Sequence, residues 1–365
     1  MAESIYINGR FLTQPVTGVQ RYAHELLNQF DVLLENSDTY KNIEIHCLVP
    51  PGAELEKQWK NIVVKNIGIN RGNIWEQVDL PLYLNGKFLF SPANTGPLLY
   101  RNQVITLHDA SVFAVPHAYS LPFKLKYKSI FISVSRFAKK IITDSEFSQK
   151  ELSHYLKQPI ARYNVIHLAG DHINEIESDP ETLKKLGLKN KEYILIVASQ
   201  SPHKNLKIAR EALKLIKSQV KFAFVGGDFQ KVFNNKSKQP APENAIMLGY
   251  VNDRELKSLY QNALGYLFPS LYEGFGLPIL EAMHCGCPVL CARTASLPEV
   301  AGEAVLYFDP ANPAEIANAI DRIYFNRNLR DELIQKGYSQ ANKFSWQSTA
   351  QSTLNTLLTA IKSNI

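Results

Sequence analysis

The chain has 365 residues, of which 45% are apolar and 20% are charged. At about 150 residues per domain this length corresponds to about two domains, and the even supply of Leu, Ile, Val and Phe excludes disorder and low-complexity sequence. The net charge of +6, from 40 basic and 34 acidic residues, is too small to indicate a nucleic-acid-binding protein. No apolar run is long enough to span a bilayer, and the first residues lack the pattern of a secretory signal, so we expect a cytoplasmic protein.

Short apolar, β-branched segments alternate with segments of helical periodicity along the whole chain, which is typical of doubly wound parallel α/β sheets. The strands predicted in the first half are Ser4–Asn8, Ile43–Val49, Ile62–Ile67, Phe88–Phe90, Val104–Leu107, Ile141–Thr143 and Asn164–His167. Those predicted in the second half are Tyr193–Ala198, Lys221–Val225, Ala245–Leu248, Gly265–Phe268, Pro288–Cys291 and Ala304–Phe308. The predicted helices are Val19–Leu34, Leu121–Ala138, Ser148–Leu156, 204–218, 253–262, 278–285, 313–326, 328–342 and Trp346–Ile361.

The stretch Ala169–Glu192 separates the two halves, because it is acidic and then basic and has little strand pattern. It predicts an N-terminal Rossmann-like domain over residues 1–172 and a C-terminal one over 173–345. The last helix, within residues 346–365, is expected to return to the first domain. Because ligands bind at the carboxyl ends of strands in such sheets, we expect the functional residues at strand-to-helix junctions.

The junction richest in such residues is Phe268–Gly286, with the sequence FPSLYEGFGLPILEAMHCG. Pro278 suits the first turn of a helix, and the N–H groups at a helix N-terminus form an anion site suited to a diphosphate. The residues that would present those N–H groups are Gly274, Phe275, Gly276 and Leu277. Glu273 and Glu281 could accept hydrogen bonds from sugar or ribose hydroxyls. Taken alone, two glutamates at this spacing are more often a solvated loop acid and a helix-capping acid.

The string EGFGLPILEAMHCGCPVL closely resembles the E-x7-E segment of the retaining glycosyltransferases of family 4, the group 1 glycosyl transferases. Other segments resemble that family in the same order: TGVQRYAHELL, VITLHDAS, KKIITDSEFSQKEL, SPHKNL, LGYVNDREL, ASLPEVAGEAVLYFDP and FSWQSTA. The resemblance covers nearly the whole chain. It implies the GT-B fold, in which two Rossmann-like domains face each other across a cleft and the C-terminal helix crosses back to the first domain.

For the second domain, the resemblance implies that Glu273 binds hydroxyls of the donor sugar and that Glu281 binds the ribose of its nucleotide. Lys204 would neutralise the diphosphate, which gains negative charge as the glycosidic bond breaks. The N–H groups of Phe275, Gly276 and Leu277 would meet the phosphates and the sugar, and Tyr250 and Val251 would line the base pocket. Ser199 stands where many family members carry an arginine that contacts the diphosphate. Lys204, backbone amides or another cation would have to serve instead.

For the first domain, the resemblance places Gly18 where its backbone approaches the donor phosphate, an approach that a residue without Cβ permits. Without the resemblance, Gly18 is equally consistent with a simple turn glycine before a helix. The resemblance places His108 beside the donor sugar, where it would orient a hydroxyl or stabilise charge rather than act as a free base. Asp109 follows on the acceptor side.

The function implied is a retaining hexosyltransferase that moves mannose from GDP-mannose to a hydroxyl of a surface-glycan or lipid-linked acceptor. The alternatives are the same chemistry with a UDP-sugar donor, a GT-B scaffold without activity, or a Rossmann-type oxidoreductase. The sequence has no D-x-D, so we expect transfer without a metal and without a cofactor beyond the nucleotide-sugar co-substrate. It also lacks G-x-x-x-x-G-K-[ST] and G-x-G-x-x-G, which argues against NTPases and dinucleotide enzymes.

The stretch from Pro122 to Lys140 contains basic residues and no acid; the cations are Lys124, Lys126, Lys128, Arg136, Lys139 and Lys140. They alternate with apolar residues, as in a basic amphipathic helix suited to an anionic membrane surface. The stretch is equally consistent with a helix that packs on its own sheet and exposes a solvated basic face. In the first case we expect peripheral attachment to the inner face of the membrane.

Overall fold

The computed structural model describes residues 3–53, 57–199, 201–227 and 244–363. The chain forms two units: Met1–Leu168 with Trp346–Ile365, and Ala169–Ser345. The division at 168/169 lies four residues before the one predicted at 172/173. The physical reason is that the 3-10 turn Asp171–Glu175 packs on helix Leu277–His284 of the second unit.

The first unit contains a seven-stranded sheet in which every neighbouring pair is parallel, in the order β3-β2-β1-β4-β5-β6-β7. Its strands are β1 (Glu3–Asn8), β2 (Ile43–Val49), β3 (Ile62–Asn66), β4 (Leu89–Ser91), β5 (Gln103–Thr106), β6 (Lys140–Thr143) and β7 (Tyr163–Val165). After β1 the chain forms β2 and β3 on one side of β1, and it then forms β4 on the other side of β1. The strand order therefore switches between β1 and β4, the place where such sheets bind ligands.

The helices of the first unit are Gly18–Asn36, Gly72–Ile74, Leu80–Leu84, Ser111–Ala114, Leu121–Phe137, Glu146–Leu156 and Trp346–Lys362. A π-turn covers Trp75–Asp79, and 3-10 turns cover Gly9–Thr13, Pro116–Ala118 and Ile160–Arg162. Thr17 and Gln20 form a capping box at the start of the first long helix. The helical turns between Gly72 and Leu84 were not predicted, because each is too short to show a helical period.

The second unit contains a six-stranded parallel sheet in the order β10-β9-β8-β11-β12-β13. Its strands are β8 (Tyr193–Val197), β9 (Lys221–Val225), β10 (Ala245–Gly249), β11 (Gly265–Phe268), β12 (Val289–Ala292) and β13 (Val305–Phe308). Its helices are Thr182–Lys185, Leu206–Leu213, Asp253–Asn262, Leu277–His284, Leu297–Ala301, Pro313–Phe325 and Arg327–Ala341. Here the strand order switches between β8 and β11.

Both predicted boundaries of the helix over 204–218 are wrong. A 3-10 turn covers Pro202–Lys204, Asn205 adopts a left-handed conformation with φ of 54°, and the helix runs only over Leu206–Leu213. Asn is one of the few non-glycine residues that adopts this conformation readily, so it breaks the periodic pattern at that point. Lys204 consequently lies on a turn before the helix and not inside it.

The C-terminal helix Trp346–Lys362 packs on the first unit. Trp346 is fully buried, with its ring 6.2 Å from that of Tyr22. Thr349 Oγ1 donates a hydrogen bond of 2.7 Å to the carbonyl oxygen of His167. Among the described residues, no helix has both the length and the apolar character needed to cross a membrane.

Replacing Trp346 with Ala should destabilise the first unit by about 3–5 kcal/mol, because the cavity left by a buried indole collapses only partly. Urea denaturation followed by circular dichroism measures this loss. Gln347, the exposed neighbour on the same helix, provides the control: Gln347→Ala should leave the free energy of unfolding nearly unchanged. Equal stability of the two variants would contradict the packing of this helix on the first unit.

Candidate functional site

The switch point of the second sheet brings together two of the predicted site residues. Lys204 follows β8 and Glu273 follows β11, and these two strands are neighbours in the sheet. Lys204 Nζ lies 2.6 Å from Glu273 Oε1, and the two side chains are only 21% and 13% exposed. Glu273 is therefore not a solvated loop acid. The parallel topology places an ammonium and a carboxylate side by side at the edge where ligands bind.

The loop after β11 is fixed from three sides. The backbone N–H of Leu271 donates to the carbonyl oxygen of His203 at 2.7 Å. Asn205 Nδ2 donates to the carbonyl oxygens that follow β11 and β13, those of Pro269 and Pro310. Ser296 Oγ lies 3.0 Å from the carbonyl oxygens of Glu273 and Phe275. These bonds hold the loop in one conformation before any ligand arrives.

Gly276 is the residue that turns this loop into helix Leu277–His284. Its φ is 107°, a backbone conformation that side chains rarely adopt, so the backbone at this position favours glycine. Gly274, Phe275 and Leu277 are buried beside it. The predicted N-terminal loop is thus present, with Pro278 as the second residue of the helix.

Glu281 lies in the second turn of its helix, not in the first, and it does not cap that helix. Its Oε2 accepts a hydrogen bond from Tyr260 Oη at 3.3 Å, and its Oε1 lies 3.2 Å from His172 Nε2. Burial raises the pKa of Tyr260 well above its ordinary value, so this hydroxyl stays a neutral donor. Gly170 permits the close approach of His172, because a Cβ there would lie 2.7 Å from Leu280 Cβ.

His172 and Tyr260 are contacts of Glu281 that the sequence did not indicate. Nothing in their spacing along the chain connects them with Glu281, and His172 lies in the stretch that was interpreted only as a domain boundary. Their partnership depends on the packing of the turn Asp171–Glu175 and of helix Asp253–Asn262 against helix Leu277–His284.

Three other predicted donor-site residues lie apart from these contacts. Tyr250 and Val251 follow the edge strand β10; Tyr250 is 86% exposed and Val251 is buried. Ser199 follows β8 and is exposed, and its Oγ accepts a long hydrogen bond of 3.5 Å from the N–H of Ser201. In the described part of the chain, no hydrogen bond or ion pair joins the three to Lys204, Glu273 or Glu281. Their roles stay predictions.

In the first unit, His108 and Asp144 follow the neighbouring strands β5 and β6. His108 Nδ1 lies 2.8 Å from Asp144 Oδ2, and His108 Nε2 lies 3.2 Å from the carbonyl oxygen of Pro92. Burial lowers the pKa of the imidazole, but the Asp144 carboxylate, with smaller contributions from Asp109 and the carbonyl oxygen of Pro92, raises it more, so the net pKa of His108 is above its ordinary value. Both ring nitrogens of His108 face oxygen atoms, so neither nitrogen is free to act as a base.

Gly18 and Asp109 occupy the same carboxyl edge of the first sheet. Gly18 is the first residue of helix Gly18–Asn36, and a Cβ there would meet no atom within 4 Å, so packing within the described residues does not require glycine. Asp109 Oδ1 accepts a hydrogen bond of 2.7 Å from the N–H of Ser111. The role of Gly18 at the phosphate and that of Asp109 at the acceptor stay predictions.

A cavity of about 480 Å³ opens at the switch point of the first sheet. Its lining residues are Arg10, Gln14, Pro15, Thr17, Val19, Gln20, Ala93, Asn94, Asp109, Ser111, Val112, Tyr119, Phe123, Tyr127 and Phe131. The rings of Tyr119, Phe123 and Tyr127 stack along one side, with successive centroids 5.2 and 4.2 Å apart. Polar groups and stacked rings together suit a ligand that has both hydroxyl groups and apolar faces.

Arg10, which lines this cavity, forms a buried ion pair with Glu76. Arg10 Nε lies 3.1 Å from Glu76 Oε1, and both side chains are less than a tenth exposed. Asn8 Nδ2 and Thr95 Oγ1 also donate to Glu76 Oε1, each at 2.8 Å. Sequence reasoning missed this network. The π-turn that carries Glu76 is the one signal of a special site there, and it is visible only in the structure.

The family model described as "Glycosyl transferases group 1" matches residues 172–340. The chain is also 34% identical over 264 residues to the O-antigen chain mannosyltransferase B of Escherichia coli, an alignment that covers 69% of each protein. The chain belongs to the group 1 glycosyl transferases. This confirms the predicted family.

This glycosyltransferase is similar to a second curated protein, the serotype-specific mannosyltransferase WbdA of Escherichia coli. The two are 29% identical over 223 residues, which is 58% of this chain but 27% of WbdA. Among solved structures, the crystal structure of Anabaena HepE in complex with UDP and glucose superposes with a TM-score of 0.73. That match covers 98% of this chain and 100% of HepE at 19% identity, and it shows the fold. The predicted GT-B fold class is confirmed.

Replacing Asp144 with Asn should lower the pKa of the His108 imidazole, because burial is then opposed only by the weaker effects of Asp109 and the carbonyl oxygen of Pro92. Titration of the ring protons by NMR measures this change. In the unmodified enzyme the stabilisation by protonated His108 is present below about pH 6.5 and is lost as the pH rises through the raised pKa of the folded state.

Asp109→Asn is the matched control, since Asp109 acts on His108 more weakly than Asp144 does. It should lower the pKa of His108 less than Asp144→Asn does. A titration curve of Asp144→Asn that overlays the unmodified one would contradict the assigned pair.

Proposed function

We propose that this glycosyltransferase transfers a hexose, mannose from GDP-mannose, to a hydroxyl of a surface-glycan or lipid-linked acceptor, with retention of anomeric configuration. The choice of mannose is supported by the curated relatives named O-antigen chain mannosyltransferase B and serotype-specific mannosyltransferase WbdA. The choice of GDP follows from that sugar. A UDP-sugar donor is the alternative outcome of the tests below.

The observation that carries the proposal is the contact between Lys204 and Glu273 at the switch point of the second sheet. An ammonium has three N–H donors, and the contact with Glu273 uses one of them. The others would meet oxygens of the leaving diphosphate, whose growing charge a fixed cation stabilises. Glu273 would accept hydrogen bonds from the donor sugar, and Glu281 from the ribose.

In the reaction we propose, the bond between the anomeric carbon and the diphosphate oxygen breaks while the acceptor oxygen bonds to the same face of that carbon. The proton of the acceptor hydroxyl passes to the departing phosphate oxygen, and the products are the glycosylated acceptor and a nucleoside diphosphate. The engagement of both nitrogens of His108 supports this route, because it leaves the imidazole no lone pair to take the proton. Lys204 and the helix that begins at Leu277 supply positive potential, so the proposed transfer needs no metal ion.

The cavity at the switch point of the first sheet supports a saccharide acceptor. Asp109, Gln14 and Gln20 line it and can exchange hydrogen bonds with hydroxyl groups. The stacked rings of Tyr119, Phe123 and Tyr127 offer flat apolar surface to the C–H faces of a sugar ring. We assign this cavity to the acceptor.

We further propose that helix Leu121–Phe137 contacts an anionic membrane surface. One of its faces is core, since Ile130, Phe131 and Val134 are buried. The other face is not: Leu121, Leu125 and Ile132 are 61%, 57% and 53% exposed. Lys124 and Lys126 lie between these residues in sequence, while Lys139 and Lys140 lie beyond the helix. The packing interpretation accounts for the buried face of the helix, and the proposed membrane contact would use the exposed face.

Replacing Lys204 with Gln should lower the turnover number for sugar transfer by about a hundred- to a thousandfold, the range for losing one fixed donor to developing charge. Steady-state kinetics with GDP-mannose and a glycan acceptor measure this. Lys207→Gln, which removes the same charge from an exposed position three residues further on, should keep nearly full activity. If both variants keep full activity, Lys204 does not stabilise the leaving group.

Replacing Glu281 with Ala should weaken nucleoside diphosphate binding by about 1.5–3 kcal/mol, the value of a hydrogen bond to a charged group. Calorimetric titration with GDP and with UDP measures the effect and identifies the base at the same time. Tighter binding of UDP than of GDP would replace GDP-mannose by a UDP-sugar as the donor. Unchanged affinity would remove Glu281 from the nucleotide site.

Replacing both Leu121 and Leu125 with Ser should reduce co-sedimentation with anionic vesicles at least tenfold, because burial of each leucine in the interface contributes about 1.5–3 kcal/mol. Leu215→Ser provides the control, since Leu215 is an exposed leucine of the second unit. If the double variant pellets as much as the control, the helix packs on its own sheet and does not contact the membrane.

A further inference from the structure

Four cations meet at the edge of the first sheet opposite to His108. Strands β5, β6 and β7 are parallel neighbours, and a basic residue precedes each of them: Arg101, Lys139 and Arg162. Because parallel strands all begin at the same edge of a sheet, these three residues are brought together at the amino edge. The fourth cation, Arg136, comes from the last turn of helix Leu121–Phe137. We call these four residues the cationic cluster.

The cationic cluster lines a cavity of about 520 Å³, together with Phe137 and Ser363. A second cavity of about 590 Å³ shares Arg101, Lys139 and Ser363 with it. Among the residues that the structure describes, no Asp or Glu lines either cavity. Within the described ranges, no ion pair involves any of the four cations, whereas paired lysines and arginines are common elsewhere on the protein.

Two of the four cations are fixed by the ends of helices. Lys139 Nζ donates to the carbonyl oxygens of Ala360 and Ser363, each at 3.0 Å, at the end of the C-terminal helix. Arg162 donates to Gln158 Oε1 at 2.9 Å and to the carbonyl oxygen of Ala138. Basic side chains commonly complete helix C-termini in this way. These contacts account for the positions of Lys139 and Arg162.

The guanidinium groups of the other two cations make no such hydrogen bonds in the described part of the chain. The Arg101 guanidinium lies over the Phe137 ring, 5.8 Å from its centroid, and Arg136 is exposed. In the described part of the chain neither guanidinium has a hydrogen-bond partner. A planar guanidinium presents paired N–H groups that match the oxygens of a phosphate. Two such groups beside two fixed cations, with no carboxylate among the described lining residues, form an environment that an anion would stabilise.

We propose that the cationic cluster binds the phosphate of an anionic lipid headgroup. The lipid is favoured over a free phosphate because Arg136 lies four residues after Ile132, on the same side of the helix as the exposed Leu121 and Leu125. Apolar side chains that enter the interface and a phosphate site are thus parts of one surface. This inference rests on the membrane contact proposed above and is independent of glycosyl transfer.

The site also fixes how the helix would lie on the membrane. Phe123 and Tyr127, near the start of the helix, line the acceptor cavity, and Arg136 lies at its end. At 1.5 Å per residue, Phe123 and Arg136 are separated by roughly 20 Å along the helix axis. A headgroup bound at one end would hold the acceptor cavity at a set distance along the membrane surface.

The test compares the double variant Arg101→Gln/Arg136→Gln with the control Arg254→Gln/Arg327→Gln, which removes two exposed arginines from the second unit. Co-sedimentation uses vesicles of phosphatidylglycerol in phosphatidylcholine. The cluster variant should partition about thirtyfold more weakly, at about 1 kcal/mol per arginine near an anionic surface, and the control should behave like the unmodified enzyme. Pelleting of both variants at the unmodified level would overturn the proposal.

A competition experiment distinguishes a phosphate-binding site from nonspecific electrostatic attraction to the vesicle. It also distinguishes a lipid headgroup from free phosphate as the ligand. At matched ionic strength, inorganic phosphate should release the unmodified enzyme from vesicles at lower concentration than acetate does; equal effects would refute a phosphate site. Thermal stabilisation by phosphate without any vesicle binding would refute the lipid as its source. Sugar transfer to a lipid-free acceptor should be unchanged in the cluster variant. An enzyme that binds vesicles but transfers no sugar would refute the proposed function and leave the lipid site standing.

Discussion

Parallel strand pairing determines which of the predicted site residues meet at the edges of the two sheets. In a parallel sheet all strands end at one edge, so residues distant in sequence meet there if their strands are neighbours. Lys204 and Glu273 are 69 residues apart and touch because β8 pairs with β11. His108 and Asp144 are 36 residues apart and touch because β5 pairs with β6. The opposite edge follows the same rule and collects the basic residues that precede β5, β6 and β7.

The ion pair of Lys204 and Glu273 fixes the positions of the two charged groups more than it stabilises the fold. An exposed pair contributes about 0–1 kcal/mol, and a buried pair loses most of its Coulombic gain to desolvation. At 21% and 13% exposure these side chains fall between the two cases. What the contact does provide is a defined location for each charge in the free enzyme. The hydrogen bonds of Asn205 and Ser296 provide the same for the backbone around them.

Much of this architecture could be predicted from sequence, because strands of four to seven apolar residues leave a local pattern. Every strand of both sheets lies at a predicted position, and Lys204, Glu273 and Glu281 were identified through motifs that are continuous in the chain. Several contacts around the two sheet edges were not identified. Glu76 contacts Arg10 and His172 contacts Glu281 through tertiary packing, and Asp144 contacts His108 through the pairing of β5 with β6. None of these contacts leaves a periodicity in the sequence. The predicted helix over 204–218 failed for a local reason, the left-handed backbone at Asn205.

The C-terminal helix Trp346–Lys362 affects the order in which the two units fold during synthesis. The first unit needs this helix, yet the 177 residues of Ala169–Ser345 are synthesised in between. At about 5–20 residues per second a ribosome takes on the order of 10–35 s to make that insert. During this interval the surface that receives Trp346 has no cover, while the second unit, continuous in sequence, can finish folding. The nascent first unit is therefore the part of this enzyme most dependent on protection from aggregation.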